Sequence, residues 1–250
     1  MAGETIPPVL EARQLRFGWP GSAEPCVDIA ELVLRPGEQL LLLGPSGCGK
    51  STLLGLLGGV LLPSQGAVKL MGQSLSQASA RRRDQLRADH VGFIFQQLNL
   101  VPYLSLEDNV MLPCRFSALR RHRAGDSPRQ AAHALLHALE LPESLWKRPV
   151  TQLSVGQQQR AAAARALIGK PALLIADEPT SALDRDNRDR LMRLLAAQLK
   201  AHGSALLMVS HDEALQAHMA HTVSMHVLNQ ALPAREHAHV PTRTPGSSAS

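Results

Sequence analysis

Residues 40–51 read Leu40-Leu41-Leu42-Leu43-Gly44-Pro45-Ser46-Gly47-Cys48-Gly49-Lys50-Ser51. The apolar run at the front is short and continuous, which fits a strand buried on both faces, as in a parallel sheet. The eight residues after it match G-x-x-x-x-G-K-[ST], a phosphate-binding loop. Its glycines let successive backbone N–H groups curl around phosphate oxygens. A helix expected from Lys50 to about Leu57 points its positive N-terminus at the same anion. Lys50 adds a point charge for the β- and γ-phosphates, and Ser51 offers a hydroxyl to Mg²⁺. A chance loop would lack the strand before and the helix after. The reading is therefore a nucleotide site over Gly44, Pro45, Ser46, Gly47, Cys48, Gly49, Lys50, Ser51 and Thr52. Cys48 lies inside this loop, so modification of its thiol is expected to interfere with ATP.

Outward from this loop, strands and helices alternate. Val9–Phe17 and Val27–Leu34 read as strands, and Pro36-Gly37 reads as the turn of a hairpin into Gln39–Leu43. Gly66–Met71 and His90–Phe95 are strand-like, with a basic segment Arg81–Arg87 between them. Residues 98–150 differ: helical stretches at Leu106–Leu112 and Gln130–Leu141, few strand signals, and the basic cluster Arg120, Arg121, His122, Arg123. That cluster reads as a solvated face, or one turned to anionic lipid. Gln157–Ile168 is Ala-rich and helical, stopped by Gly169 and Pro171. Leu173–Ala176 and Ala205–Val209 are buried strands, and Asp189–Leu199 has a helical period ended by Gly203. From about Pro233 the chain is rich in His, Pro, Thr and Ser without periodicity, which reads as a disordered tail. The pattern predicts an α/β fold with a parallel sheet.

Composition bounds the rest. A chain of 250 residues is one domain, or one domain with a sub-domain. With 44% hydrophobic and 19% charged residues it is globular, not disordered. The net charge of +5 suits nucleic acid, anionic lipid or a phosphate ligand without choosing among them. No apolar run reaches the roughly 18–20 residues of a membrane span, and the N-terminus has no apolar h-region, so no secretory signal is expected. Cys26, Cys48 and Cys114 have no metal-ligand spacing and read as reduced thiols.

Further motifs follow. Leu153-Ser154-Val155-Gly156-Gln157-Gln158-Gln159-Arg160 precedes the Ala-rich helix. Leu173-Leu174-Ile175-Ala176-Asp177-Glu178-Pro179-Thr180 ends a buried strand in two acids, and Ser181-Ala182-Leu183-Asp184 follows. Together with Gln96, after Gly92-Phe93-Ile94-Phe95, and His211 at a strand end, this order resembles the ATP-binding-cassette (ABC) ATPases over about residues 8–228. The stretch Phe93–Pro113, with the approach Arg87–Gly92, looks most like the lipoprotein-releasing and macrolide-export ATPases.

The resemblance implies an α/β P-loop core with a mixed or parallel sheet, an antiparallel β subdomain and a helical subdomain. It implies one domain over 1–232, with core and β subdomain at 8–97 plus 151–232, the helical subdomain at about 98–150, and a disordered tail at 233–250. Mg²⁺ would be held by Ser51, Gln96 and Asp177. Glu178 would orient or deprotonate the attacking water, helped by His211, Gln96 and Lys50. Trp19 would stack on adenine, with Phe17 as its rival. Ser154, Gly156 and Gln157 would form a second anion site that meets ATP held by another copy, with Asp184 in the adjoining D-loop.

One phosphate loop and one signature per chain imply a head-to-tail dimer around two ATP. Lacking a span, the chain is expected to work with integral membrane permease subunits, peripheral on the cytoplasmic face of the inner membrane. The alternative is an ATPase regulating a cell-envelope membrane protein. A nucleic-acid-handling cassette is disfavoured, since about a hundred residues, not a long coiled coil, separate loop and signature. Val155 stands where the family has glycine. A β-branched residue resists φ > 0, so an extended or helical backbone is expected there. Val227-Leu228-Asn229-Gln230 lacks the usual glycine turn, which puts a last hairpin in doubt.

Overall fold

The computed structural model describes residues 7–232; the expected tail from Pro233, with its histidines, lies outside the described residues. In chain order the elements are β1 (Leu10–Phe17), β2 (Val27–Leu34), β3 (Gln39–Leu43), α1 (Lys50–Leu57), β4 (Gln65–Leu70), β5 (Gln73–Ser74), α2 (Ala80–His90) and β6 (Val91–Ile94). Then come α3 (Leu106–Phe116), α4 (Ala118–Arg123), α5 (Pro128–Ala138), α6 (Val155–Leu167), β7 (Leu173–Asp177), α7 (Arg185–His202), β8 (Ala205–Ser210), β9 (His221–Ser224) and α8 (Met225–Leu228).

Five strands form one parallel sheet in the order β6-β7-β8-β3-β9, and four form a second, antiparallel sheet in the order β2-β1-β4-β5. The parallel sheet is covered on both faces. Leu41, Leu174, Ala176, Leu206 and Met208 belong to one buried cluster. Their sequence neighbours Leu42, Leu173, Ile175, Leu207 and Val209 belong to the other. Side chains alternate faces along a strand, so a strand with no solvated face must be apolar throughout, as Leu40–Leu43 is.

The alanine run Ala161–Ala164 is fully buried. Helix α6 packs against β6, α3, α5 and α7, and only small side chains let a helix be surrounded this closely. Gly92 serves the same contact: a Cβ there would lie 2.3 Å from the Ala166 carbonyl oxygen.

Two expectations are corrected. Pro36-Gly37 is a turn but not a hairpin. Strand β2 pairs with β1 in the antiparallel sheet, while β3 leaves for the parallel sheet. A local turn signal says that the chain bends, not which sheet each arm joins. The basic cluster is not a uniform solvated face either. Arg120 is 3% exposed and donates to the backbone carbonyls of Ile168 (Nε, 2.8 Å), Ala166 (Nη2, 2.5 Å) and Val91 (Nη1, 3.3 Å). Burial lowers its pKa to about 10, so it stays charged and satisfies the orphan carbonyls at the end of α6. The doubt over a last hairpin agrees with the structure: residues 225–228 are helical after a β9 that runs parallel to β3, so no terminal hairpin forms among the described residues.

Glu107, 1% exposed, holds the helical region together. Its carboxylate receives Lys147 Nζ at 2.9 and 3.0 Å, Arg129 Nε at 2.8 Å and His133 Nε2 at 2.8 Å. The His133 ring in turn lies against Trp146, with centroids 4.1 Å apart. Burial pushes the Glu107 carboxyl up, but the His133 and Lys147 bonds and the nearby Lys147 and Arg129 charges outweigh it and leave the pKa below its ordinary value. A carboxyl with a depressed folded pKa stabilises the fold above its unfolded pKa of about 4.3, and that stability is lost as pH falls through the folded value. Glu107→Gln is therefore expected to lower stability at pH 7 by about 1 kcal/mol, because Lys147 and Arg129 lose their counter-charge but stay exposed to solvent. It should also flatten the acid limb of the stability curve, as measured by denaturant midpoints from pH 3 to 7.

Candidate active site

The register of the parallel sheet brings the site together. Leu43 pairs with Ser210 and Asp177 pairs with Val209, so β3, β7 and β8 end level. Two further bonds extend the ladder past the strand ends: Gly44 N–H to the Ser210 carbonyl (3.1 Å) and Glu178 N–H to the Val209 carbonyl (3.0 Å). Strand β8 lies between β3 and β7 in the sheet. The cleft opens at these carboxyl ends, where ligands bind in such sheets. It encloses about 470 Å³.

The loop supplies one wall. Gly47 (φ +83°) and Gly49 (φ +88°) hold left-handed turns that a side chain would strain. Gly49 is the N-cap of α1 and no side chain caps the helix, which leaves its first N–H groups for an anion. Ser46, Gly47, Gly49, Ser51 and Thr52 line the cleft. Gly44 and Pro45 contribute differently, as their carbonyls accept from Lys50 Nζ at 2.7 and 3.0 Å. Cys48 is 5% exposed and packed in the core, so its thiol is shielded from reagents in the cleft.

The acids supply the opposite wall. Asp177 Oδ2 accepts from Ser51 Oγ at 3.1 Å. Burial raises its pKa, only partly offset by the Ser51 bond. Glu178 has φ +47°, a strained left-handed conformation for a non-glycine residue. That twist lets Glu178 turn into the group formed by Lys50, Ser210 and His211. Its Oε2 accepts from Ser210 Oγ (2.9 Å), and its Oε1 lies 2.9 Å from His211 Nδ1 and 3.6 Å from Lys50 Nζ. With Nδ1 carrying the proton toward the carboxylate, His211 keeps Nε2 as an acceptor. Gln96, just beyond β6, lines the same cleft. Trp19, 49% exposed, stands at its mouth edge-on to Phe17 at 5.1 Å, while Phe17 packs on the core.

Ser154, Gly156, Gln157 and Asp184 are not among the residues lining this cleft. Ser154 and Gln157 form a capping box at the start of α6: Ser154 Oγ accepts from Gln157 N–H (3.3 Å), and Gln157 Oε1 from Ser154 N–H (2.9 Å). Val155 is the first helical residue and does not have positive φ, as expected. Asp184 caps α7, and the Asn187 backbone N–H (2.9 Å), then its side chain, hold the carboxyl below its ordinary pKa. A Cβ on Gly156 would sit 3.6 Å from Leu183 Cδ2, so signature and D-loop share one surface.

Two participants were not anticipated. Cys26 lines the cleft, and its carbonyl accepts from the Nδ2 of Asn229 at 2.9 Å. The fully buried Asn229 also accepts the Asp28 N–H at 2.7 Å, across 201 residues of chain. It thus pins the edge of β2 against the loop: a Cβ on Gly49 would lie 3.0 Å from the Cys26 carbonyl. Nothing local marks an Asn in that role.

The family model described as ABC transporter matches residues 27–181. The chain is 46% identical over 187 residues to the Escherichia coli K12 protein named uncharacterized ABC transporter ATP-binding protein YbbA, covering 75% of this chain and 80% of that one. The chain belongs to the ABC transporter ATPase family. It is also 38% identical over 221 residues to the lipoprotein-releasing system ATP-binding protein LolD of Novosphingobium aromaticivorans, covering 88% of this chain and 96% of LolD. Among solved structures, the ATP-binding cassette MJ0796, a dimer in a post-hydrolysis state bound to ADP and Pi, superimposes with a TM-score of 0.76 at 31% identity, covering 86% and 93% of the two chains. The α/β cassette expected from the motifs is the fold observed, and the protein is an ATP-binding ATPase.

Asn229→Leu is expected to strand the Asp28 N–H and the Cys26 carbonyl, at a cost of about 2 kcal/mol in stability. It should raise the KM for ATP several-fold through the loosened cleft wall. Chemical denaturation and steady-state ATPase assays measure the two effects separately.

Proposed function

We propose that this cassette hydrolyses ATP as a head-to-tail pair of identical chains and drives conformational change in separate membrane subunits. The observation that carries the reading is the separation of two anion-binding elements on one chain. The cleft holds Lys50, Asp177, Glu178 and His211, whereas the exposed N-terminus of α6, with Ser154, Gly156 and Gln157, lies on another surface. A second copy turned head to tail completes each cleft with the other's signature, and the Asp184 loop comes with it.

The donor set fits ATP with Mg²⁺. A hydroxyl (Ser51), one carboxylate (Asp177) and one amide (Gln96) are hard oxygen donors facing a loop of free N–H groups, and Mg²⁺ prefers few protein ligands plus phosphate oxygens. The ion, when bound, neutralises charge on the β- and γ-phosphates. Lys50 exchanges the Gly44 and Pro45 carbonyls for phosphate oxygens. Glu178 holds the attacking water in line and accepts its proton. Ser210 and His211 fix both carboxylate oxygens, and His211 would contact the γ-phosphate through its free ring nitrogen. Trp19 offers a flat face to adenine.

The unit works as one domain, with its catalytic part at 8–97 and 151–232 and a helical part at about 98–150. Among the described residues no helix is long and apolar enough to cross a membrane. The membrane subunit docks at an apolar groove of about 370 Å³ beside Gln96, lined by Val60, Phe93, Phe95, Pro113 and the 73% exposed Phe116. The cassette works peripherally on the cytoplasmic face of the membrane, a reading supported by its similarity to ATP-binding proteins named for transport systems. Similarity to the protein named as lipoprotein-releasing supports export or extraction as the work performed.

Glu178→Gln is expected to bind ATP, to hydrolyse it at least about a hundredfold more slowly, and to elute as an ATP-bound dimer by light scattering. Wild-type turnover in that variant would remove Glu178 as the base. Chelating the divalent ion should abolish hydrolysis by the wild type, and restoring Mg²⁺ should recover it.

A further inference from the structure

Arg165 lies on α6 about three turns beyond Ser154. Its guanidinium is aimed at the chain leaving Gln96. Nη1 donates to the Asn99 carbonyl and Nη2 to the Leu98 carbonyl, both at 2.5 Å. Leu98 (φ +56°) and Asn99 (φ +49°) are consecutive left-handed residues, a conformation unfavourable for side-chain-bearing residues when unsupported. Turn bonds from Leu98 N–H to the Phe95 carbonyl (2.9 Å) and from Asn99 N–H to the Gln97 carbonyl (2.6 Å) tighten the same bend. Among the described residues, the hydrogen bonds of the Arg165 guanidinium go to these two carbonyls.

The neighbouring contacts make the connection stiff. Arg120 ties the Val91 carbonyl of β6 to the Ala166 and Ile168 carbonyls at the end of α6. The absent side chain of Gly92 lets the two backbones close. The bend at residues 95–99 and helix α6 are therefore tied into one connection. At one end it carries Gln96, which faces the chain's own cleft. At the other it carries Ser154, Gly156 and Gln157.

We infer that Arg165 is a positioning residue that couples the two ATP sites of the dimer. The inference rests on the head-to-tail reading above, in which Gln96 serves one site and the signature of the same chain serves the other. Movement of Gln96 toward bound nucleotide pulls the Leu98–Asn99 carbonyls. Arg165 passes that displacement to α6, which carries the signature toward the opposite cleft. The guanidinium suits this task because its planar fork holds both carbonyls in one fixed geometry, whereas an ammonium is a rotatable point charge on a flexible stem.

The test is the ATP dependence of hydrolysis by full-length wild type, Arg165→Ala and Arg165→Lys, with thermal melts as the folding control. The wild type is expected to be sigmoidal, with a Hill coefficient approaching the two sites available. In Arg165→Ala the coefficient should fall to about 1 and kcat by about tenfold. Binding of ATP to the monomer, followed by calorimetric titration, should stay within about twofold. Arg165→Lys should be intermediate, and it carries the test if the alanine variant does not fold. Combining either variant with Gln96→Ala should add little further loss, since both break one connection. A wild-type Hill coefficient in the variants, or losses that multiply with Gln96→Ala, would overturn the inference, as would a non-sigmoidal wild type whose Glu178→Gln form still dimerises. Failure of Glu178→Gln itself to dimerise with ATP would instead bring down the head-to-tail reading, and this inference with it.

Discussion

Everything in the site depends on three parallel strands ending at the same level. Because Leu43 pairs with Ser210 and Asp177 with Val209, the residues that follow each strand emerge side by side. A slip of one residue in either ladder would turn every side chain of that strand to the opposite face. Both faces are buried, yet the faces differ: one packs on the helical layer and the other on the antiparallel sheet. The packing that holds the register thus also sets the spacing of loop, acids and histidine.

Glu178 shows how that placement becomes chemistry. A residue continuing β7 in extended form would follow the strand direction. The left-handed turn at Glu178 redirects the chain, and Ser210, His211 and Lys50 then surround the carboxylate. Two hydrogen bonds and one cation at 3.6 Å hold it in one rotamer, so little reorganisation is left for the moment of reaction. The backbone strain is supported by the ladder bond from its own N–H to Val209.

Helix α6 is the second organising element. Its alanines are consequences of being surrounded, and its ends carry different jobs. The N-terminus keeps its capping box and an exposed surface. Near the C-terminal end, two arginines bind carbonyls and not carboxylates. For Arg120 the helix end supplies the negative potential, and for Arg165 the carbonyls of Leu98 and Asn99 do.

Local pattern made much of this legible. The loop needs its residues consecutive, so Gly44 to Ser51 could be read directly, and α1 begins and ends where the pattern placed it. The apolar runs of β3, β7 and β8 announced burial on both faces. The signature, the acid pair and His211 were visible because each sits at a strand or helix end, which sequence marks well. What escaped depends on distant partners. Arg120 looked like one of several surface arginines until the end of α6 was packed on it. Asn229 looked like a missing glycine until its amide met Cys26 and Asp28. The turn at Pro36-Gly37 was right as a turn and wrong as a hairpin. By itself the sequence determined the elements, their order and the chemistry at their ends, because these arise from residues adjacent in the chain. Only the tertiary structure decided which strands are neighbours, which cations are buried and which groups share a cleft. Those follow from packing between segments that the chain keeps far apart.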